Sequence, residues 1–202
     1  MKTNVHYSLE TAGNTSILRL QSLDGINRLT RACVLALTEI ISRLTRENPS
    51  PLIITGTDHF FSTGADLHEI VELTAPEALK FSSLGQTLTH QIENFPSPVL
   101  AAIRGYCMGG GLDLALACHA RIAAPQAVFG HRGAALGLIT GWGGTQRLPR
   151  LIGKARALQM FLAAEKVNAA EALRIGLVAE IQEDPVGASL RRLTTPPASP
   201  LS

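Results

Sequence analysis

The chain has 202 residues, 46% of them hydrophobic and only 17% charged. That size suits one compact domain, and the charged fraction lies below the roughly 25% of an average soluble protein. Eighteen Lys and Arg stand against 16 Asp and Glu, a net charge of +2 with no long basic run, so nucleic acid is not expected as a main ligand.

The first ten residues are polar, with no apolar run of signal-peptide length, which makes a cytoplasmic location the expectation. Residues 1–185 read as one domain. Ile17 to Leu20 reads as a strand, followed by a helix whose stripe is Leu29, Cys33, Ala36, Leu37, Ile40, Ile41 and Leu44, with Asn27 as its expected cap. The cluster Asn48-Pro49-Ser50-Pro51 ends this unit, and Leu52 to Thr55 is a short buried strand running into Gly56.

The order then repeats. A helix is predicted from about Pro76 to Phe95, a strand at Val99 to Ile103, a glycine-rich turn, a helix through Leu112 to Ala117 and a strand at Arg121 to Ala124. Arg104, Asp113, His119 and Arg121 interrupt the apolar stretch from Val99 to Ala124, so it reads as buried core rather than as a membrane span. Helices near Thr145 to Leu151, Ala155 to Leu162 and Ala169 to Ile175 precede a last strand at Val178 to Ile181. Residues 186–202, rich in Pro, Ser, Thr and Arg toward their end, are expected to be disordered. This alternation predicts a layered α/β domain. Cys33, Cys107 and Cys118 form no CxxC pair and read as small core residues, with no metal expected.

Two glycine turns stand where a strand gives way to a helix: Phe61-Ser62-Thr63-Gly64-Ala65-Asp66-Leu67 and Gly105-Tyr106-Cys107-Met108-Gly109-Gly110-Gly111. A glycine-rich helix start exposes backbone N–H groups and carries partial positive charge. Two such turns facing each other would make an oxyanion hole, whereas a single one is more often punctuation.

With Leu52-Ile53-Ile54-Thr55-Gly56 and Gly143-Gly144-Thr145-Gln146-Arg147-Leu148, these motifs stand in an order that resembles the crotonase superfamily, the enoyl-CoA hydratase and isomerase family, from about Ile17 to Ile181. The resemblance implies a crotonase-like spiral of ββα units, a coenzyme A thioester as substrate with no separate cofactor, and a homo-oligomer, a trimer or hexamer. It implies that the N–H groups of Ala65 and Gly110 bind the thioester oxygen, and that Ser62, Ala65, Asp66, Leu67 and His68 help line the coenzyme A site.

Family hydratases carry two glutamates. The matching positions here are Asp113, a carboxylate one methylene shorter, and Gly133, which has no side chain. The resemblance therefore favours isomerisation or decarboxylation through a thioester enolate over efficient hydration. The alternative is a non-catalytic acyl-CoA-binding or assembly protein. A glycine at this position also occurs in the family's dihydroxynaphthoyl-CoA synthases, where bicarbonate supplies the base. Restoring both glutamates is expected to raise hydration. Relatives also continue several dozen residues past the strand matching Val178 to Ile181.

Other polar residues read as structural. His131 and Arg132 are taken as a solvated loop pair, the competing reading being an anion clamp at Arg132. His68 reads either as a coenzyme A contact or as a solvent-facing helix residue, His119 as structural, and Trp142 as packing beside glycines.

Overall fold

The structure, a computed structural model, describes residues 2, 3 and 5–194. The chain begins with β1 (Lys2–Thr3), β2 (Tyr7–Ala12) and β3 (Thr15–Leu20). Four turns of one spiral unit then overlap along the chain, each made of a strand in a large sheet, a shorter strand set off from it, and a helical segment. The first runs from β3 through β4 (Arg28–Leu29) to α1 (Arg31–Glu47). The second is β5 (Leu52–Thr55), β6 (Phe60–Ser62) and β7 (Gly64–Ala65), then α2 (Leu67–Val71) and α3 (Ala75–Glu93). The third is β8 (Val99–Ile103), β9 (Tyr106–Met108) and α4 (Gly110–Ala117). The fourth is β10 (Ala120–Ala123), β11 (Val128–Gly130) and a 3₁₀ turn (Gly133–Leu136), leading into α5 (Gly144–Ile152). The chain continues through α6 (Lys154–Leu162), β12 (Lys166–Asn168), α7 (Ala169–Arg174), β13 (Glu180–Ile181) and α8 (Pro185–Thr194).

The large sheet has the order β1-β2-β3-β5-β8-β10-β13 and is parallel from β3 onward. Its central strands are buried on both faces, which suits their near-continuous apolar sequences Leu52–Thr55 and Val99–Ile103. A second sheet, β12-β11-β9-β6, stacks the short strands of three successive turns, and β4 pairs with β7 as a separate ribbon. One large apolar cluster joins the sheets to α1, α3 and α4.

The helix after β4 starts later than its apolar stripe suggests. Thr30 caps α1 by accepting from the Cys33 N–H at 3.1 Å, and Leu29 lies in β4. Asn27, expected as the cap, instead has φ +56° and donates from its side chain to the carbonyls of Phe60 and Phe61 at 2.9 and 3.2 Å. Residues 186–194, expected to be disordered, belong to α8. Val186, Leu190 and Leu193 recur at helical spacing and pack on Ile17, Ile53 and Ala102, on the other face of the large sheet. Residues 195–202, the rest of the expected tail, lie outside the described residues.

Arg121 is 7% exposed and clamps the end of the third turn to the last segment. Its Nε donates to the Leu177 carbonyl at 2.7 Å, and Nη1 donates to those of Cys118 at 2.9 Å and Ala115 at 3.4 Å. Removing a charged donor strands buried acceptors, which costs more than the bonds contribute net. Arg121→Met is expected to lower stability by about 3 kcal/mol, read as a shifted urea midpoint at unchanged slope.

Candidate active site

The spiral brings the two glycine turns together. Gly64 has φ +90°, and a Cβ built on it would lie 2.8 Å from the Gly110 nitrogen. Only glycine allows that approach. A Cβ on Gly110 would sit 3.4 Å from the Ala65 nitrogen and 2.5 Å from the Trp142 ring. The backbone of β7 therefore lies against the first turn of α4, and Ala65 and Gly110 both line one cavity of about 570 Å³. A polar clip holds β7 there. The Ser62 hydroxyl donates to the Asn27 carbonyl at 2.7 Å and accepts from the Gly64 N–H at 3.1 Å.

Asp113 enters the same cavity from the first turn of α4 and is 1% exposed. Thr140 donates its hydroxyl to Oδ2, and the backbone of Trp142 also favours the charged carboxyl. Burial outweighs these effects and the nearby Arg147 charge, and pushes the carboxyl up to about 7. Oδ1 faces His131 Nε2 at 3.4 Å. Neither atom has a hydrogen-bond partner among the described residues. His131 is 4% exposed and stands 5.1 Å from the Phe161 ring, centroid to centroid; burial pushes its imidazole down to about 4.

Of the residues expected here, Ala65, Gly110, Asp113, Gly133 and Leu67 line the cavity. Ser62 does not: fully buried and engaged in the clip, it has no surface with which to touch a ligand, so its place in the expected binding set is corrected. Asp66 caps α2 by accepting from the His68 N–H at 2.8 Å, and His68 is exposed; neither is part of the cavity wall.

Gly133 opens the 3₁₀ turn, and its carbonyl accepts from the Leu138 N–H at 2.8 Å. A Cβ there would lie 2.7 Å from the Leu138 carbonyl oxygen, so a glutamate at this position displaces the loop backbone. The expectation that Gly133→Glu simply restores a carboxylate pair is corrected accordingly.

His131, read as solvated, is instead buried against Asp113; Arg132 is exposed at the cavity rim. His119 accepts from the Val99 N–H through Nδ1 at 2.8 Å, a structural role. Trp142 packs edge-on against Phe81, 5.4 Å between centroids, and also forms cavity wall. Thr140, which carried no signal in the sequence, anchors the carboxylate.

The ββα spiral and the paired turns define a protein of the crotonase type. Residues 11–192 match the family model for enoyl-CoA hydratase/isomerase, and the chain belongs to that family. It is 42% identical over 178 residues to a crotonyl-CoA hydratase of Syntrophomonas wolfei, covering 86% of this chain and 67% of that protein. It is 48% identical over 128 residues to a probable enoyl-CoA hydratase of Bacillus subtilis, covering 63% and 50%. Among solved structures, Pseudomonas aeruginosa DspI superposes with a TM-score of 0.90 at 34% identity, covering 96% of this chain and 75% of that one. An enoyl-CoA hydratase from Bacillus anthracis gives 0.88 at 33%, covering 93% and 75%. No helix among the described residues is long and apolar enough to cross a membrane.

The raised Asp113 value has a definite consequence for stability. A carboxyl that ionises near 7 when folded, against an ordinary value of 3.8, holds its proton more tightly in the native state. Its contribution is complete below the ordinary value and is lost as pH rises through about 7. Asp113→Asn has no such loss. Its stability relative to wild type is expected to climb across that window in denaturant titrations, and a pH-independent difference contradicts the buried, protonated carboxyl.

Proposed function

We propose that this chain binds an acyl-CoA thioester with the carbonyl oxygen between the N–H groups of Ala65 and Gly110. Enolate charge then develops at the positive end of α4, and Asp113 moves the proton at carbon. The observation that carries this reading is a cavity wall holding both amide positions and one buried carboxyl, with no side chain at Gly133.

One carboxyl of this kind suffices for two reactions. In double-bond isomerisation it removes a proton from one carbon and returns it to another. In decarboxylation carbon dioxide leaves and the enolate takes the proton. Water addition asks more, since one group must deprotonate water while a proton reaches the α-carbon. The relatives named hydratases support the substrate class, and the altered pair supports a shift in reaction. A non-catalytic acyl-CoA-binding protein is the second reading, favoured by the change at both acid/base positions. The low charged fraction supports a homo-oligomer, read by sedimentation.

A panel of acyl-CoA thioesters, assayed for turnover beside a binding titration, separates these readings. Binding with isomerisation or decarboxylation supports the first, and binding with no turnover the second. Crotonyl-CoA hydration is expected to be weak, with any residual rate lost in Asp113→Asn; hydration at rates ordinary for the family overturns the proposed shift. Gly110→Val, whose side chain meets Trp142 and crowds the Ala65 amide, is expected to abolish thioester binding. Unchanged affinity in a variant with native circular dichroism contradicts the oxyanion assignment.

A further inference from the structure

His131 has no part in the reading above, yet its buried Nε2 faces Oδ1 of Asp113, and neither atom has a hydrogen-bond partner among the described residues. An unsatisfied pair of this kind is costly to bury, and two such atoms facing each other satisfy one another when a single proton lies between them. We infer that Asp113 and His131 share one proton along Oδ1···Nε2 and titrate as a single unit, with His131 the positioning residue that lets a buried Asp113 give up and recover its proton.

The exchange is balanced. As the O–H bond at Asp113 breaks, an N–H bond forms at His131, and the neutral acid beside neutral imidazole becomes carboxylate beside imidazolium. The pair has zero net charge in both forms, so the apolar surroundings oppose the transfer far less than they oppose a lone carboxylate. The 3.4 Å separation is long for a hydrogen bond, so the transfer requires the two atoms to close by about half an ångström.

Other groups around the pair leave this arrangement open. Thr140 bonds Asp113 through its other oxygen, Oδ2, and the Trp142 backbone favours the charged carboxyl. From α5, Arg147 adds positive charge, itself paired with Glu93 at 2.8 Å. From β9, Cys107 is a fully buried thiol held neutral by a pKa raised well above its usual range. Against the imidazole, α6 presents the uncharged ring of Phe161.

The inference rests on the acyl-CoA reading for its purpose but is tested without turnover. In the full chain, isotope-labelled Asp carboxyl and His imidazole resonances are followed by NMR through both midpoints. A shared proton makes the Asp113 and His131 signals each show two inflections. In His131→Gln, whose amide fills the same place without exchanging a proton, the Asp113 signal keeps one inflection only. In Asp113→Asn the His131 signal does the same.

A single independent midpoint for each residue in the wild type, unmoved by substitution of the other, overturns the shared proton. The number of inflections in the wild-type titration decides the matter by itself, even where a variant fails to fold. Two-step titration with no turnover of any thioester keeps the pair and overturns the catalytic reading. Turnover with independent titrations keeps that reading and overturns the pair. If both hold, the pH profile of turnover follows the upper step of the pair and changes midpoint in His131→Gln.

Discussion

Everything in the candidate site depends on the close approach of β7 to the first turn of α4. Two peptide N–H groups can address one oxygen only if their backbones come closer than side chains normally permit, and here the spiral, the positive φ at Gly64 and the bare Cα of Gly110 together allow it. The polar clip from Ser62 to Asn27 ties β6 and β7 to the segment preceding α1, so the geometry is held from both sides of the ribbon. In the proposed reading, donors held this way need little reorganisation when charge develops on a bound oxygen.

The same packing that builds the pocket sets the chemistry of its carboxyl. The Thr140 hydroxyl, the Trp142 backbone and the Arg147 charge favour the charged form of Asp113, while near-complete burial opposes it, and burial wins. The result is a carboxyl poised near neutrality, where an acid–base group is most useful. At Gly133 the Leu138 carbonyl leaves no room for a side chain without loop movement. The loop of residues 133–142 contributes Thr140 and Trp142 to the cavity wall.

Much of this was legible in the chain. The strands Leu52–Thr55 and Val99–Ile103 occur with the bounds their apolar runs suggest, and Ala65, Gly110 and Asp113, to which the family resemblance pointed, line one cavity. The short strands were not, because two or three residues are too few to show alternation. Helix α8 was obscured by its neighbours' composition, although Val186, Leu190 and Leu193 carry helical spacing. His131 was missed for a different reason: a polar residue beside an arginine in a loop looks solvated, and only the fold turns it inward onto Asp113. Ser62 erred in the opposite direction, a residue within a binding motif whose hydroxyl serves the backbone behind the pocket.

The central claim is that the amides of Ala65 and Gly110 polarise a thioester carbonyl, and vibrational spectroscopy reads that directly. In a difference infrared spectrum of an isotope-labelled crotonyl-CoA carbonyl bound to the wild-type protein, the C=O stretch is expected at lower frequency than for the same thioester in water. A bound carbonyl whose stretch stays at or above its value in water would contradict the account.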